Sequence, residues 1–154
     1  MLNRHRTSPA VVRRNRSAAV LLVLAAVLGG LVSTGCTVKE LGIRSLVLAN
    51  QERARQGVSP LYWDDESAAK AEAWATQMAN TGGVSHSEIT DGISSDWRVL
   101  GENVGMGNSI EQIHSAFMRS PSHRGALLAG KYRFVGVGVA ERDGRIYVAQ
   151  VFRG

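Results

Sequence analysis

The C-terminal segment constrains the fold most, because it predicts a β-hairpin that is apolar on both faces. Residues 133–141 and 145–153 are rich in strand-forming residues and flank Asp143-Gly144, a dipeptide typical of two-residue hairpin turns. The predicted cross-strand pairs on one face are Val139 with Val148, Val137 with Gln150 and Val135 with Phe152. The other face carries glycines, alanines and Tyr147. A sheet with two apolar faces must be covered on both sides.

Two helices are predicted in the first half of the chain. The first is expected to start after the N-cap Thr37 and to run to about Arg55. Its buried face is predicted from residues at helical spacing, which are Ile43, Leu46, Val47, Asn50 and Ala54. The second is expected to start after the N-cap Asp64 and to stop at Gly82-Gly83. Its core-facing stripe is predicted to be Ala68, Ala71, Ala75 and Met78, and Trp74 is interpreted as a core residue.

Two shorter helices are predicted before the hairpin. One starts at Ser109, and the other has Ser120 as N-cap and Pro121 at its first position. With four helices available, the expected fold class is α/β. The expected architecture is a three-layer α/β/α sandwich with a small central sheet that ends in the C-terminal hairpin. Gly136 and Gly138 are predicted to mark the closest approach of a helix to this sheet.

Residues 1–35 have the pattern of an export signal, so the folded domain is expected at 36–154. The first 16 residues carry five arginines and no acid, and the next 19 carry no charge. Cys36, the only cysteine, follows this apolar run and resembles the acylated cysteine of a bacterial lipoprotein, although Ser33 replaces the usual aliphatic residue. Ordinary cleavage before Cys36, or an uncleaved anchor of about 20 residues, are the alternatives. All three predict a domain that works outside the cytoplasm.

The net charge of +5 belongs to this leader and not to the domain. The whole chain has 18 basic and 13 acidic residues, whereas the two counts are equal from Cys36 onward. A nucleic-acid-binding protein needs a basic footprint on its folded domain. The composition therefore gives no support to nucleic-acid binding.

Two histidines and a carboxylate lie in separate short runs of small residues. The runs are Ser85-His86-Ser87, Gly101-Glu102-Asn103-Val104-Gly105 and Ser120-Pro121-Ser122-His123-Arg124. His86 falls in a long polar loop, and such loops are usually functional or disordered. His123 falls in the first turn of a helix, where the helix dipole lowers the pKa of an imidazole and favours its neutral form. Two neutral histidines can hold Zn²⁺ with water in the open positions, while Glu102 orients an imidazole or accepts a proton.

These motifs, in this order, resemble a bacterial CAP domain. This is the superfamily of cysteine-rich secretory proteins, antigen 5 and plant PR-1 proteins, here in a short cysteine-free form. The resemblance also rests on the segments 47–54, 61–64 and 135–138, and it covers about residues 40–153. It implies an α/β/α sandwich with a cleft lined by two histidines and acidic residues.

Carried over to this chain, the cleft residues are His86, Glu102 and His123. Many eukaryotic members have a second glutamate where this chain has Ser120, which argues against tight metal binding. Asn103, Ser120 and Gln150 are further expected cleft residues, Gln150 because it is a polar residue in an apolar strand and needs a partner if it is buried. His114 has no supporting motif and is interpreted as structural.

The resemblance implies binding of sterols, lipids, cations or proteins, without one shared chemistry. The expected function is that of an exported ligand- or ion-binding module at the cell envelope, and no residue is assigned a catalytic role. Zn²⁺ or another divalent cation is the candidate cofactor, with His86 and His123 as its ligands. The expected partners are a lipid or envelope component and the membrane itself, through acylated Cys36. The alternatives are a metal-assisted hydrolase with Glu102 as base, and a structural envelope protein with a vestigial cleft.

Overall fold

The computed structural model describes residues 37–154, so the leader and Cys36 lie outside the described part. In chain order the helices are α1 Val38–Arg55, α2 Asp65–Thr81, α3 Ile110–Arg119 and α4 Pro121–Leu128. The strands are β1 Tyr62–Trp63, β2 Leu100–Gly107, β3 Phe134–Arg142 and β4 Arg145–Arg153. The predicted hairpin and all four predicted helices are confirmed. None of the helices between residues 37 and 154 has both the length and the apolar character needed to cross a bilayer.

The strands form one sheet in the order β1-β3-β4-β2. β2 and β3 run antiparallel to β4, and β1 runs parallel to the start of β3. The hairpin has the predicted register, with Val137 opposite Gln150 and Val135 opposite Phe152. Asp143 and Gly144 both have positive φ, at 52° and 71°, as a type I′ turn requires. The strand order leaves β2 at one edge of the sheet.

Helices cover the sheet on both faces, which confirms the three-layer sandwich. α2 covers the face that carries Val104, Ala149 and Val151. α1, α3 and α4 cover the opposite face, where an apolar cluster includes Val135, Val137, Val139, Val148 and Phe152. Gly136 and Gly138 lie under α2 as predicted. A Cβ atom on Gly136 would lie 1.9 Å from the backbone nitrogen of Ala68, and one on Gly138 would lie 2.0 Å from the carbonyl carbon of Ala71.

The predicted buried face of α1 is wrong. The buried residues of this helix are Gly42, Ser45, Ala49 and Arg53, whereas Ile43 and Val47 are each 40% exposed. The reason is the short distance between α1 and the sheet. A Cβ atom on Gly42 would lie 3.0 Å from the carbonyl oxygen of Val137, so small side chains face the sheet and the larger apolar ones turn away from it.

Arg53 is the largest side chain on this buried face, and it is 0% exposed. Its Nε–H donates to the carbonyl of Ser59 at 2.7 Å. Its two terminal nitrogens donate to the carbonyls of Leu127, Ala129 and Tyr132 at 2.8, 3.1 and 3.1 Å. A guanidinium group has enough donors in one plane to serve all four carbonyls. Arg53 thus ties α1 to the end of α4 and to the segment that leads into β3.

Candidate functional site

The loop that carries His86 is held against α2 by two side chains of that helix. The indole Nε1–H of Trp74 donates to the carbonyl of Ser85 at 2.7 Å. The ammonium group of Lys70 donates to the carbonyls of Glu88 and Asp91 at 2.6 and 2.8 Å. Trp74 therefore does more than fill the core. The sequence feature that could have indicated these loop contacts is the spacing of Lys70 and Trp74, which are four residues apart beside the alanine stripe of α2.

Glu102 holds His86 through a direct hydrogen bond. Nδ1 of His86 lies 2.7 Å from Oε1 of Glu102. Ser87 binds the same carboxylate twice, through its backbone N–H to Oε1 at 3.0 Å and its hydroxyl to Oε2 at 2.7 Å. The Glu102 side chain is 4% exposed and that of His86 is 62% exposed. An ionised carboxylate only accepts hydrogen bonds, so Nδ1 carries the proton in this pair. Within residues 37–154 no hydrogen bond is made to Nε2 of His86.

His123 lies in the first turn of α4, as predicted. Its ring packs against the ring of Phe117, with 4.9 Å between the centroids. Its backbone carbonyl accepts a hydrogen bond from Nδ2 of Asn103 at 3.1 Å. Burial lowers the pKa of His123, and the charge of His86 lowers the pKa further. The predicted direction of this pKa shift is confirmed, but burial is its leading cause and not the helix dipole.

These contacts bring the predicted residues together around the edge strand β2. Glu102 and Asn103 are neighbours in this strand, so their side chains point to opposite faces of the sheet. Glu102 reaches the His86 loop on one face, and Asn103 reaches the start of α4 on the other. The two histidines approach closely enough for the charge of one to affect the pKa of the other. The edge strand thus organises both halves of the site.

Ser120, at the start of α4, occupies the position where many eukaryotic relatives have a glutamate. The expectation that its hydroxyl caps the helix backbone is wrong, since Oγ of Ser120 lies 3.2 Å from Oγ of Ser122 and α4 has no side-chain cap bond. Within residues 37–154 no group of three or more His, Cys, Asp or Glu side chains is arranged to hold a metal ion. A closed metal site with four protein ligands is therefore not formed within the described residues.

The expectation that Asn103 and Gln150 face the cleft is wrong, because each residue is 1% exposed. Gln150 donates through its Nε2–H to the hydroxyl of Ser45 at 2.9 Å, and its Oε1 accepts from Asn103 at 3.2 Å. Gln150 lies behind the site and not in it. His114 is 8% exposed, and burial lowers its pKa, with smaller effects from charges on α1 and α3.

One cavity of about 310 Å³ lies away from these residues, between α1 and α2 beside β3. Its lining includes Val38, Trp63, Glu72 and Val139, and none of the predicted site residues. The histidine site is therefore a polar cluster at the edge of the sheet and does not line this cavity.

Comparison with known proteins agrees with the fold and the motifs. The model of CAP, the cysteine-rich secretory protein family, matches residues 46–152. YkwD of Bacillus subtilis is 30% identical over 112 residues, which cover 67% of this chain and 43% of YkwD. The chain thus spans less than half the length of this relative.

Two solved structures illustrate the likeness in fold. An extracellular protein containing an SCP domain from Bacillus anthracis matches with a TM-score of 0.65 and 22% identity, over 79% of this chain and 45% of that one. NaASP2, in a crystal structure with Zn²⁺, matches with a TM-score of 0.55 and 15% identity, over 80% of this chain and 83% of that one. At these identities the structures show the fold alone. The family match over residues 46–152, the sandwich and the order of the motifs lead to one conclusion: the chain belongs to the CAP family of cysteine-rich secretory proteins.

Proposed function

We propose that this chain is a ligand-binding module at the cell envelope, and that the ligand of its histidine site is a divalent cation such as Zn²⁺. The observation that carries the proposal is the 2.7 Å hydrogen bond between Nδ1 of His86 and Glu102. A carboxylate that binds one imidazole nitrogen fixes the ring and makes the other nitrogen a better ligand. The free Nε2 of His86 is thus prepared to bind a cation.

His123 supplies the second nitrogen. Its lowered pKa keeps its ring neutral near pH 7, and neutral imidazole is the form that binds metals. Two protein ligands leave the remaining positions to water, so we expect weaker binding than at a closed zinc site. NaASP2, which shares the fold, was crystallised with Zn²⁺, and this supports testing zinc first.

The geometry favours binding over hydrolysis as the role of the site. A metal-assisted hydrolase with Glu102 as base needs this carboxylate to be free to take a proton from water. Both oxygens of Glu102 already accept hydrogen bonds from His86 and Ser87. Glu102 is therefore better suited to orient His86 than to act as a base.

Isothermal titration of Zn²⁺ into the full chain in detergent micelles tests this proposal. The chain should carry Cys36→Ser so that its thiol does not compete for the metal. We expect saturable heat, its loss when His86→Ala and His123→Ala are combined, and its retention in the control His5→Ala, which removes a histidine from the leader. Absence of saturable heat in the parent chain, or its persistence in the double variant, would refute the cation site.

Export to the cell envelope is the second part of the proposal. It rests on the basic and apolar leader and on Cys36 directly after it, residues outside the described structure. The Bacillus anthracis protein that shares the fold is extracellular. We expect Cys36→Ser to release the domain from the membrane fraction of cells. If the variant stays in that fraction and extraction with carbonate does not remove it, an uncleaved apolar segment is the anchor instead of acylation.

A further inference from the structure

A chain of three buried polar side chains runs from α1 to the first turn of α4. Ser45, Asn103 and Gln150 are 3%, 1% and 1% exposed. Gln150 donates to Oγ of Ser45 at 2.9 Å and accepts from Nδ2 of Asn103 at 3.2 Å. The same Nδ2 donates to the backbone carbonyl of His123 at 3.1 Å. The chain therefore ends on one of the two histidines of the site.

Close packing alone does not require polar groups at these positions. Gln150 lies on the face of β4 that carries Val148 and Phe152, and it is opposite Val137. Burying an amide among apolar side chains is unfavourable unless its hydrogen bonds are made. An apolar residue at position 150 would fill the same layer without this requirement. Burying these polar groups is therefore unfavourable for packing, and we attribute their presence to the hydrogen bond that they make with the start of α4.

α4 needs such an external contact because its own start is weakly fixed. The helix has only 8 residues, and Ser120 makes no side-chain cap bond to its backbone. Its first turn is therefore placed by contacts with other elements. Asn103 holds the backbone carbonyl of His123, and Phe117 packs against the ring. Fixing the backbone of His123 fixes the direction of its Cα–Cβ bond, and packing against Phe117 then restricts where the ring can lie.

We propose that Ser45, Gln150 and Asn103 form a positioning chain that sets the orientation of the His123 ring at the site. Asn103 acts directly on His123, and Gln150 and Ser45 act through Asn103. The consequence for cation binding rests on the function proposed above, whereas the control of the ring does not. Ser45 thereby links α1, which carries no other site residue in the described part of the chain, to the chemistry of the edge strand.

Histidine-selective NMR of the full chain in detergent micelles tests the proposal. The variants are Gln150→Met, which keeps the length of the side chain but removes its amide, and the milder Ser45→Ala. We expect the ring of His123 to move relative to the ring of Phe117 in both, so that its ring resonances shift and its cross-peaks to Phe117 weaken. The resonances of His86 should stay in place, because Glu102 and Ser87 hold that loop.

Val137→Ala is the matched control, because Val137 pairs with Gln150 on the same face and its truncation also destabilises the core. The control should lower the denaturation midpoint and leave the ring resonances of His123 and their cross-peaks to Phe117 unchanged. Unchanged His123 ring resonances in Ser45→Ala and in any Gln150→Met that folds would overturn the proposal, as would an equal change in Val137→Ala. A parent chain that binds no Zn²⁺ while Gln150→Met still shifts His123 would refute the cation site and keep the positioning chain.

Discussion

Replacing Arg53 by lysine tests whether the buried guanidinium holds α4 in place. Arg53 is 0% exposed and serves four backbone carbonyls through three nitrogens. A lysine ammonium is a single point that cannot replace a planar fork. We expect about two of the four carbonyls to lose their partners, and each buried acceptor left unpaired costs about 1–3 kcal/mol. After partial relaxation, Arg53→Lys should lower the free energy of unfolding by about 2–4 kcal/mol.

Urea denaturation of the full chain in detergent, followed by tryptophan fluorescence, gives this number. The matched control is Arg55→Lys on the same helix, since the side chain of Arg55 is 64% exposed. An exposed substitution of this kind should change the free energy of unfolding by no more than about 0.5 kcal/mol. Hydrogen exchange should rise in α4 and at its C-terminal end in Arg53→Lys, where Leu127 and Ala129 lose their partner. If Arg53→Lys matches Arg55→Lys in both measurements, the planar fork is not what holds α4.

Three further predictions concern the packing, the site and its pH dependence. Gly136→Ala should prevent stable folding, because the new Cβ would lie 1.9 Å from the backbone of Ala68. In the control Gly125→Ala in α4, the new Cβ meets no atom within 4 Å, so this variant should be more stable by about 0.5–1 kcal/mol. Thermal unfolding of both variants distinguishes the two outcomes. Glu102→Ala should weaken Zn²⁺ binding by roughly 10-fold or more, because a group that hydrogen-bonds to a metal-binding histidine contributes that much to metal affinity. Glu102→Gln should weaken binding less, because the amide keeps a carbonyl acceptor for His86. Equal Zn²⁺ affinities for both variants and the parent in calorimetric titrations would contradict the orienting role. Burial lowers the pKa of His114 and His123 in the folded chain, so the unfolded chain binds more protons as the pH falls through roughly 6.5. The free energy of unfolding should therefore fall in that range and level off below the folded-state pKa values. A urea midpoint that does not change between pH 7 and pH 5 would contradict this prediction.

The elements with strong local signals could be predicted from the sequence. The hairpin register follows from Asp143-Gly144 and the alternation on either side, and the structure has that register. Three helix starts follow from Thr37, Asp64 and Ser109, each of which caps its helix. These signals depend on residues that are neighbours in the chain, so a local pattern is enough to reveal them.

The face of α1 could not be predicted, because it depends on how closely the helix packs on the sheet. Periodicity ranks Ile43 and Val47 as the core face, since larger apolar residues usually point inward. In the structure Gly42 and Ala49 face the sheet, because there is no room for larger side chains where α1 crosses Val137. Arg53 faces inward for a different reason, since four carbonyls from distant segments converge on it. Neither cause is visible until the other elements are in place.

The candidate site also contains residues that local sequence patterns predict and contacts that depend on the tertiary structure. The motif residues His86, Glu102 and His123 could be named from their local patterns, and the contact between His86 and Glu102 agrees with a shared role. The contacts that hold them in place could not be predicted, because each is made to a backbone carbonyl that sequence does not reveal: Trp74 to Ser85, Lys70 to Glu88, and Asn103 to His123. Side chains that hold carbonyls on both sides of β2 restrict the two histidines before any ligand arrives. Such restriction lowers the entropy lost on binding, and the proposed cation site depends on it because it has only two imidazoles as protein ligands.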